Sequence, residues 1–381
     1  MKKLAIIGAG ISGLFIANLF KRNTEYQITI YEKNKSISLE EGYGIQLSVN
    51  SIKLLNEIGF EKTQNKEKFT PKKINFYSIK NLTKICELDI SEFNSGNCNY
   101  TTLKRSTLVN FLKSDLAGLI KTDYNISKID QTDKQIKLSF ENNETDVCDY
   151  LIISDGVFSK SKSLISNDYI SPKYNNTLAI RGNLTKSAEN TDNKNINLFL
   201  GTDFHYVIYP VNQGGEFNFI AIMKYKLSIE EQKNYKLFTN DLFIKRVLEK
   251  IPLTKKDFLN DLKELKIFPV FVSDDFHKLQ KKNIHLIGDA FFAFPPSFAQ
   301  GASQSIESAY ELFKSIENNT VVSFFKNRVK KTKMINIRSK LNQFAFHLSS
   351  PLSIFTRNIL LKRLVKNEKF LETYLGKIYK N

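Results

Sequence analysis

Tryptophan is absent from this chain, and cysteine, histidine and proline are scarce, with three, four and eight residues in 381. Cys86, Cys98 and Cys148 are odd in number and form no CxxC pair. That sets aside a disulfide scaffold and points to reduced thiols in the cytoplasm. His205, His277, His285 and His347 show no ligand spacing, so no metal site is expected. Few prolines and 41% hydrophobic residues argue against general disorder. Without tryptophan, the large apolar volumes fall mainly to 30 Phe and 16 Tyr. There is no internal repeat at a solenoid period and no low-complexity linker. A long apolar run is also missing. Leu4–Phe20 follows Lys2 and Lys3 in the manner of a signal peptide, but three glycines interrupt it. It also falls short of the ~20 residues a membrane span needs. A mature cytoplasmic protein is expected.

Acids are outnumbered, 39 against 56 Lys and Arg, for a net charge of +17. Twelve of those charges lie between Lys326 and the C-terminus, where fourteen basic residues meet only Glu368 and Glu372. No helix-turn-helix, zinc-finger or RNA-binding signature accompanies them, so a nucleic-acid partner is not expected. The plain reading is a solvated, Lys-rich face. A second reading is peripheral contact with an anionic membrane, because Ile354–Val365 carries Arg357, Lys362 and Arg363 among apolar residues.

What is present begins at the N-terminus. Leu4–Ile7 suits a buried parallel strand, Gly8-Ala-Gly10-Ile-Ser-Gly13 follows, and Leu14–Asn23 has helical character. A second strand, Gln27–Tyr31, ends at Glu32, 19 residues beyond Gly13. Gly8 permits a tight turn, Gly10 lets a pyrophosphate approach the backbone, and Gly13 lets helix and strand pack closely. The helix start offers free N–H groups to phosphate, and Glu32 can accept both hydroxyls of an adenosine ribose. This context indicates a dinucleotide but leaves FAD and NAD undivided.

Two later segments share a design. Asp149–Ser154 is an apolar strand that ends in Asp155-Gly156, and Ile284–Ile287 is another that ends in Gly288-Asp289. After the second come Phe294-Pro295-Pro296, Ala299-Gln300-Gly301 and a helix with apolar residues at helical spacing from Ala302 to Ile316. Carboxylates at the C-terminal edge of parallel strands lie where such sheets bind ligands.

The three motifs, in this order, resemble those of the FAD-dependent aromatic-ring monooxygenases, the flavoproteins that include p-hydroxybenzoate, salicylate and 3-hydroxybenzoate hydroxylases. Gly42-Tyr-Gly44-Ile-Gln-Leu, Leu103-Lys-Arg105, Ala179-Ile-Arg181-Gly182 and His205-Tyr-Val-Ile-Tyr209-Pro210 extend the likeness over nearly the whole chain. The resemblance implies an α/β fold: a Rossmann-like three-layer FAD-binding domain interleaved with a mixed-sheet substrate domain, plus C-terminal helices. The FAD domain would comprise 1–72, 100–172 and 273–320, the substrate domain 73–99 and 173–272, and a basic helical segment 321–381. Gly8, Gly10, Ile11, Ser12 and Gly13 would hold the FAD pyrophosphate, with Glu32 and Lys33 at the adenosine ribose. Arg105 would contact the adenosine-diphosphate part, Asp155 and Gly156 would sit near the pyrophosphate, and Asp289 would bind the ribityl chain. The helix starting at Gly301 and Ala302 would face the pyrimidine edge of the flavin. NADH or NADPH would reduce the flavin, and O2 would pass through a C4a-hydroperoxide to a small aromatic or quinone-like substrate. His205, Tyr206 and Pro295 are the candidates beside that substrate. Arg181 reads first as a strand-end ion-pair residue, and second as a clamp for a substrate carboxylate.

The chain also departs from the family. Phe158 and Lys162 stand where arginines are common, and Ala299 stands where glycine is frequent before Gln-Gly. The missing arginines put the nucleotide preference in question. Alternative functions are a hydroxylase of a membrane-resident quinone precursor, an FAD-dependent reductase without oxygen transfer, and a non-catalytic FAD binder. Monomer and homodimer both stay open.

Overall fold

A computed structural model describes residues 1–37, 43–132, 135–166, 171–185, 192–251, 259, 261–276 and 283–380. Gly42 therefore lies outside the described residues, as does His277. The first layer is a five-stranded sheet in the order Ile284–Leu286, Tyr150–Ile153, Lys2–Ile7, Tyr26–Glu32, Ile120–Thr122. All its pairings are parallel, with Leu4 opposite Tyr150 and Ile28, and Ile153 opposite Leu286. Alternation along Lys2–Ile7 divides its side chains between two cores. Leu4 and Ile6 pack beneath the helices Ile11–Lys21, Arg105–Ser114 and Gly301–Glu317. Ala5 and Ile7 pack against an antiparallel meander, Ile126–Gln131, Ile136–Phe140 and Thr145–Cys148. Helices, parallel sheet and meander make three layers, each burying the apolar face of its neighbour.

A second sheet has seven strands, in the order Lys263–Val272, Lys173–Leu184, Phe217–Lys224, Phe204–Pro210, Ile196–Gly201, Lys73–Ser78, Lys84–Asp89. Ile196–Gly201 runs parallel to Lys73–Ser78 and the other neighbours are antiparallel, so the sheet is mixed. Side-chain alternation gives it two different faces. Ile180, Phe204, Tyr206, Ile208 and Phe219 pack towards the helix Asp241–Glu249, whereas Leu198, His205, Val207 and Tyr209 turn the other way.

The chain closes with Val321–Phe346, a 26-residue helix, then Pro351–Leu364 and short turns to Tyr379. Arg328 anchors the long helix from a position that is 2% exposed. Its guanidinium donates to the Gln304 side chain at 2.6 Å and pairs with Glu307 at 3.5 Å and Glu311 at 3.4 Å. Among the described residues, no helix is long and apolar enough to cross a membrane.

Candidate active site

The glycine turn is shaped by contact on one side and openness on the other. Gly8 has φ +101°, and a Cβ there would sit 2.6 Å from the Ser154 carbonyl oxygen. A Cβ on Gly13 would sit 2.1 Å from the Gly8 oxygen. At Gly10 a Cβ would meet nothing within 4 Å. Gly10 caps the helix Ile11–Lys21, whose start has no side-chain cap and no acid in its first turn. Its N–H groups are thus available to an anion. Half-buried Ile11 and buried Ser12 begin that helix, and Lys33 is exposed just past the Tyr26–Glu32 strand. The Glu32 carboxylate accepts from the N–H of Ala9 and of Asn34, both at 3.0 Å. Each oxygen keeps a further lone pair for a ribose hydroxyl.

Three charged residues gather where the Tyr150–Ile153 and Ile284–Leu286 strands end. Asp155 accepts from the Ser161 N–H at 3.1 Å through Oδ2, while its buried Oδ1 has no protein partner. Lys162 is only 3% exposed. Burial lowers its pKa, while Asp155 and Asp289 act in the opposite sense. The Asp289 side chain reaches solvent through the cleft but is set deep in the protein. That depth raises its carboxyl to about 6, against the pull of Lys162 and Arg105. Arg105 opens the helix Arg105–Ser114 and donates its backbone N–H to Tyr43 at 2.8 Å. Gly156 follows with φ +84° and open space around it. Lys162 therefore supplies a cation at one of the two positions where arginine was missing. Phe158 supplies none: it is 46% exposed, with its ring centroid 4.9 Å from that of Phe271.

A cavity of about 720 Å³ opens between the seven-stranded sheet, the loop Ala293–Gln300 and the C-terminal helices. Such a volume is typical of a small-molecule pocket. Asp289, Pro295, Gly301 and Ala302 border it. The helix Gly301–Glu317 also starts without a side-chain cap or an early acid, so its positive end is open. Gln300 lines the cavity and its buried Nε2 lacks a protein partner. Ala299 takes the left-handed backbone, φ +51°, which accounts for glycine being frequent at this position. Of the phenylalanines between 291 and 298, Phe294 and Phe298 line the cavity, while Phe291 and Phe292 pack against Phe276.

These groups fit FAD. Two uncapped helix starts, an anchored acid at the end of the second strand and partnerless buried atoms on Asp155 and Gln300 match its phosphates, ribose and polar ring edge.

His205 projects into the cavity wall, 3% exposed, with Nδ1 2.8 Å from Nε2 of His347. Burial pushes His205 well below the ordinary imidazole range. It takes His347 down to about 4, although Asp203 pulls the other way. Both rings are neutral at pH 7, so one nitrogen of the pair donates and the other accepts. Tyr206 must be corrected. It lies on the opposite face, its ring stacked 4.4 Å from Phe199, because successive strand residues alternate. Tyr209 is the tyrosine that shares a face with His205, and it joins Gln46, which accepts from the Tyr100 hydroxyl at 2.7 Å. Arg181 sits within the Lys173–Leu184 strand, lines the cavity and lies 5.7 Å from the Tyr43 ring centre. Tyr209 was within reach of a period-two reading from His205, whereas no local signal announces His347.

Comparison with known proteins agrees with this geometry. The family described as "FAD binding domain" matches residues 1–319. A 6-hydroxynicotinate 3-monooxygenase from Bordetella bronchiseptica is 22% identical over 330 residues, covering 83% of this chain and 82% of that protein. A salicylate hydroxylase from Pseudomonas putida is 22% identical over 352 residues, covering 81% and 75%. Among solved structures, Klebsiella pneumoniae HpxO complexed with FAD and uric acid superposes with a TM-score of 0.81 at 14% identity, covering 98% and 97%. A salicylate hydroxylase substrate complex gives 0.79 at 18% identity, covering 100% and 95%.

Proposed function

This chain belongs to the FAD-binding-domain family of flavoproteins, and from that premise we propose that it is a monooxygenase that hydroxylates a small aromatic ring at the expense of NADH or NADPH and O2. The relatives act, by name, on hydroxynicotinate and salicylate, and a neighbouring structure holds uric acid, all compact planar rings with polar substituents. The observation that carries the reading is a polar group, His205 with Tyr209 and Gln46, set in a mainly apolar cavity that adjoins Asp289 and the Gly301 helix start.

Bound FAD supplies the oxygen-transfer chemistry. The chain's own residues prepare the place for it. Gly10 and the Ile11 helix start bind phosphate, Glu32 takes the ribose, and the open start of the Gly301 helix favours negative charge beside it. Phe76, Leu198, Val207 and Phe294 keep water from the reacting ring, where water would divert reducing equivalents to peroxide. With Nδ1 donating to Nε2 of His347, neutral His205 accepts a hydrogen bond from a ring hydroxyl at Nε2. That bond draws the hydroxyl proton away from the ring and leaves it more electron-rich at the moment of attack.

The test is anaerobic flavin reduction by NADH and by NADPH across a panel of phenols, salicylates and hydroxypyridines, followed by admission of O2. One compound should accelerate reduction and return hydroxylated. His205→Asn should keep FAD and its reduction while cutting hydroxylation about 10²-fold or more. Turnover that proceeds equally well without O2 would replace this reading with a reductase.

A further inference from the structure

The two C-terminal helices carry apolar stripes that none of the other described residues covers. Ile337, Leu341 and Phe344 recur at i, i+4 and i+7 on one helix, and Leu352, Phe355 and Ile359 at i, i+3 and i+7 on the other. Every one of the six is more than a third exposed, and Ile337, Phe344, Leu352 and Phe355 exceed 60%. Exposed apolar side chains are ordinary when scattered; aligned along two adjacent helices they form a patch that marks an interaction surface. Leu341 and Phe344 of the first stripe, and Leu360 next to Ile359 of the second, line the active-site cavity. The stripes therefore flank its mouth.

Charge identifies the occupant. Between Glu317 and Glu368 there is no acid, against eleven Lys and Arg. Lys340 is exposed within the first stripe, and Arg363 and Lys366 are exposed one and two turns beyond Ile359. A second copy docked here would set two acid-free faces against each other, since a two-fold contact pairs a patch with itself. An anionic bilayer answers both features: apolar side chains enter the acyl boundary while lysine and arginine meet the headgroups.

We propose that these helices dock the enzyme on anionic lipid, with the active-site mouth facing the membrane. Resting on the hydroxylase reading, this assigns the substrate to sparingly soluble aromatic compounds that partition into the bilayer and enter between the two stripes. Docking itself needs no turnover, so its test is independent of that reading.

The FAD-loaded protein is sedimented with vesicles of phosphatidylcholine alone or with 30% phosphatidylglycerol, at low and high salt. It should bind the anionic vesicles and not the neutral ones, and raised salt should weaken binding. Ile337→Glu and Phe355→Glu alter exposed side chains outside the cavity lining, so flavin content and thermal midpoint should hold while binding falls about tenfold or more for each. No binding to anionic vesicles at low salt would overturn the proposal. Binding that survives the double Glu variant would reduce it to non-specific attraction of a basic surface. A dimer in solution that Ile337→Glu dissociates, with no vesicle binding, would assign the face to a second copy instead.

Discussion

Gly10→Ala separates ligand binding from folding at the nucleotide turn. Gly10 has φ −81° and ψ −176°, an extended conformation open to any residue, and its added methyl would meet no protein atom within 4 Å. The apo fold should keep its stability within about 0.5 kcal/mol, as for an unstrained surface change. The methyl would instead occupy the space through which a pyrophosphate reaches the N–H groups of the Ile11 helix. Displacing one charge-assisted hydrogen bond costs roughly 1.5–3 kcal/mol. That corresponds to about 10- to 150-fold in FAD affinity. Titration of the apoprotein with FAD, followed by quenching of flavin fluorescence, measures the affinity; urea unfolding without FAD measures the stability. Gly13→Ala is the contrasting control. Its methyl would fall 2.1 Å from the Gly8 oxygen and 2.5 Å from the Ser154 hydroxyl, so it should unfold the turn whether or not FAD is present. If Gly10→Ala bound FAD as tightly as the unaltered protein, the pyrophosphate would not lie on this turn.

Three further outcomes follow from particular contacts. Ala299→Gly should stabilise the protein by about 0.5–1 kcal/mol in urea, because alanine at φ +51° carries a left-handed penalty that exceeds glycine's entropic cost; a loss of stability would refute the strain. Arg328→Met should cost about 3–5 kcal/mol by the same assay, since it strips the buried Glu307 and the half-buried Glu311 of their shared cation; a change under about 1 kcal/mol would show that Lys331 alone suffices for Glu307. The histidine pair should make stability depend on pH: burial depresses the folded-state values, to about 4 for His347, so the unfolded chain binds more protons as pH falls below its ordinary 6.5. Stability should be complete above about pH 6.5 and decline towards pH 4, by up to about 1.4 kcal/mol per pH unit for each histidine. His285, also held at about 4, acts in the same sense, so His347→Gln should flatten the dependence only in part; an unchanged slope would refute the pair's contribution.

The cofactor side was far more legible in the sequence than the substrate side. Gly8, Gly10, Gly13 and Glu32 belong to one local unit of strand, turn, helix and strand, and the helix announced at Gly301 runs from Gly301 to Glu317. Lys162 was visible as a departure, but its burial beside Asp155 and Asp289 was not, because burial of one side chain depends on three separate segments. His205 was found through a resemblance, and its neighbour was misjudged as Tyr206 although strand alternation favoured Tyr209. His347 was beyond local reasoning, since 142 residues separate it from His205.

This difference has a geometric cause. Parallel strands joined by crossovers bring all their C-terminal ends to one edge of a sheet. The adjacent strands ending at Ile7, Ile153 and Leu286 therefore set the glycine turn, Asp155 and Asp289 side by side, although the chain visits them about 150 and 130 residues apart. Motif order along the chain then translates directly into a row of groups at one sheet edge, which a linear reading can follow. The cavity wall has no such rule. Its side chains come from one face of a mixed sheet, whose order interleaves strands from three stretches of chain, and from helices that cover the far side. There the partner of each residue is set by register and by where the last helices come to rest. The histidine pair joins those two parts: one ring belongs to the sheet and the other ends the long helix whose apolar stripe rims the mouth. A shift of the helix at a lipid surface would move His347 against the 2.8 Å contact with His205, so the placement of the proton acceptor and the docking of the mouth share one structural element.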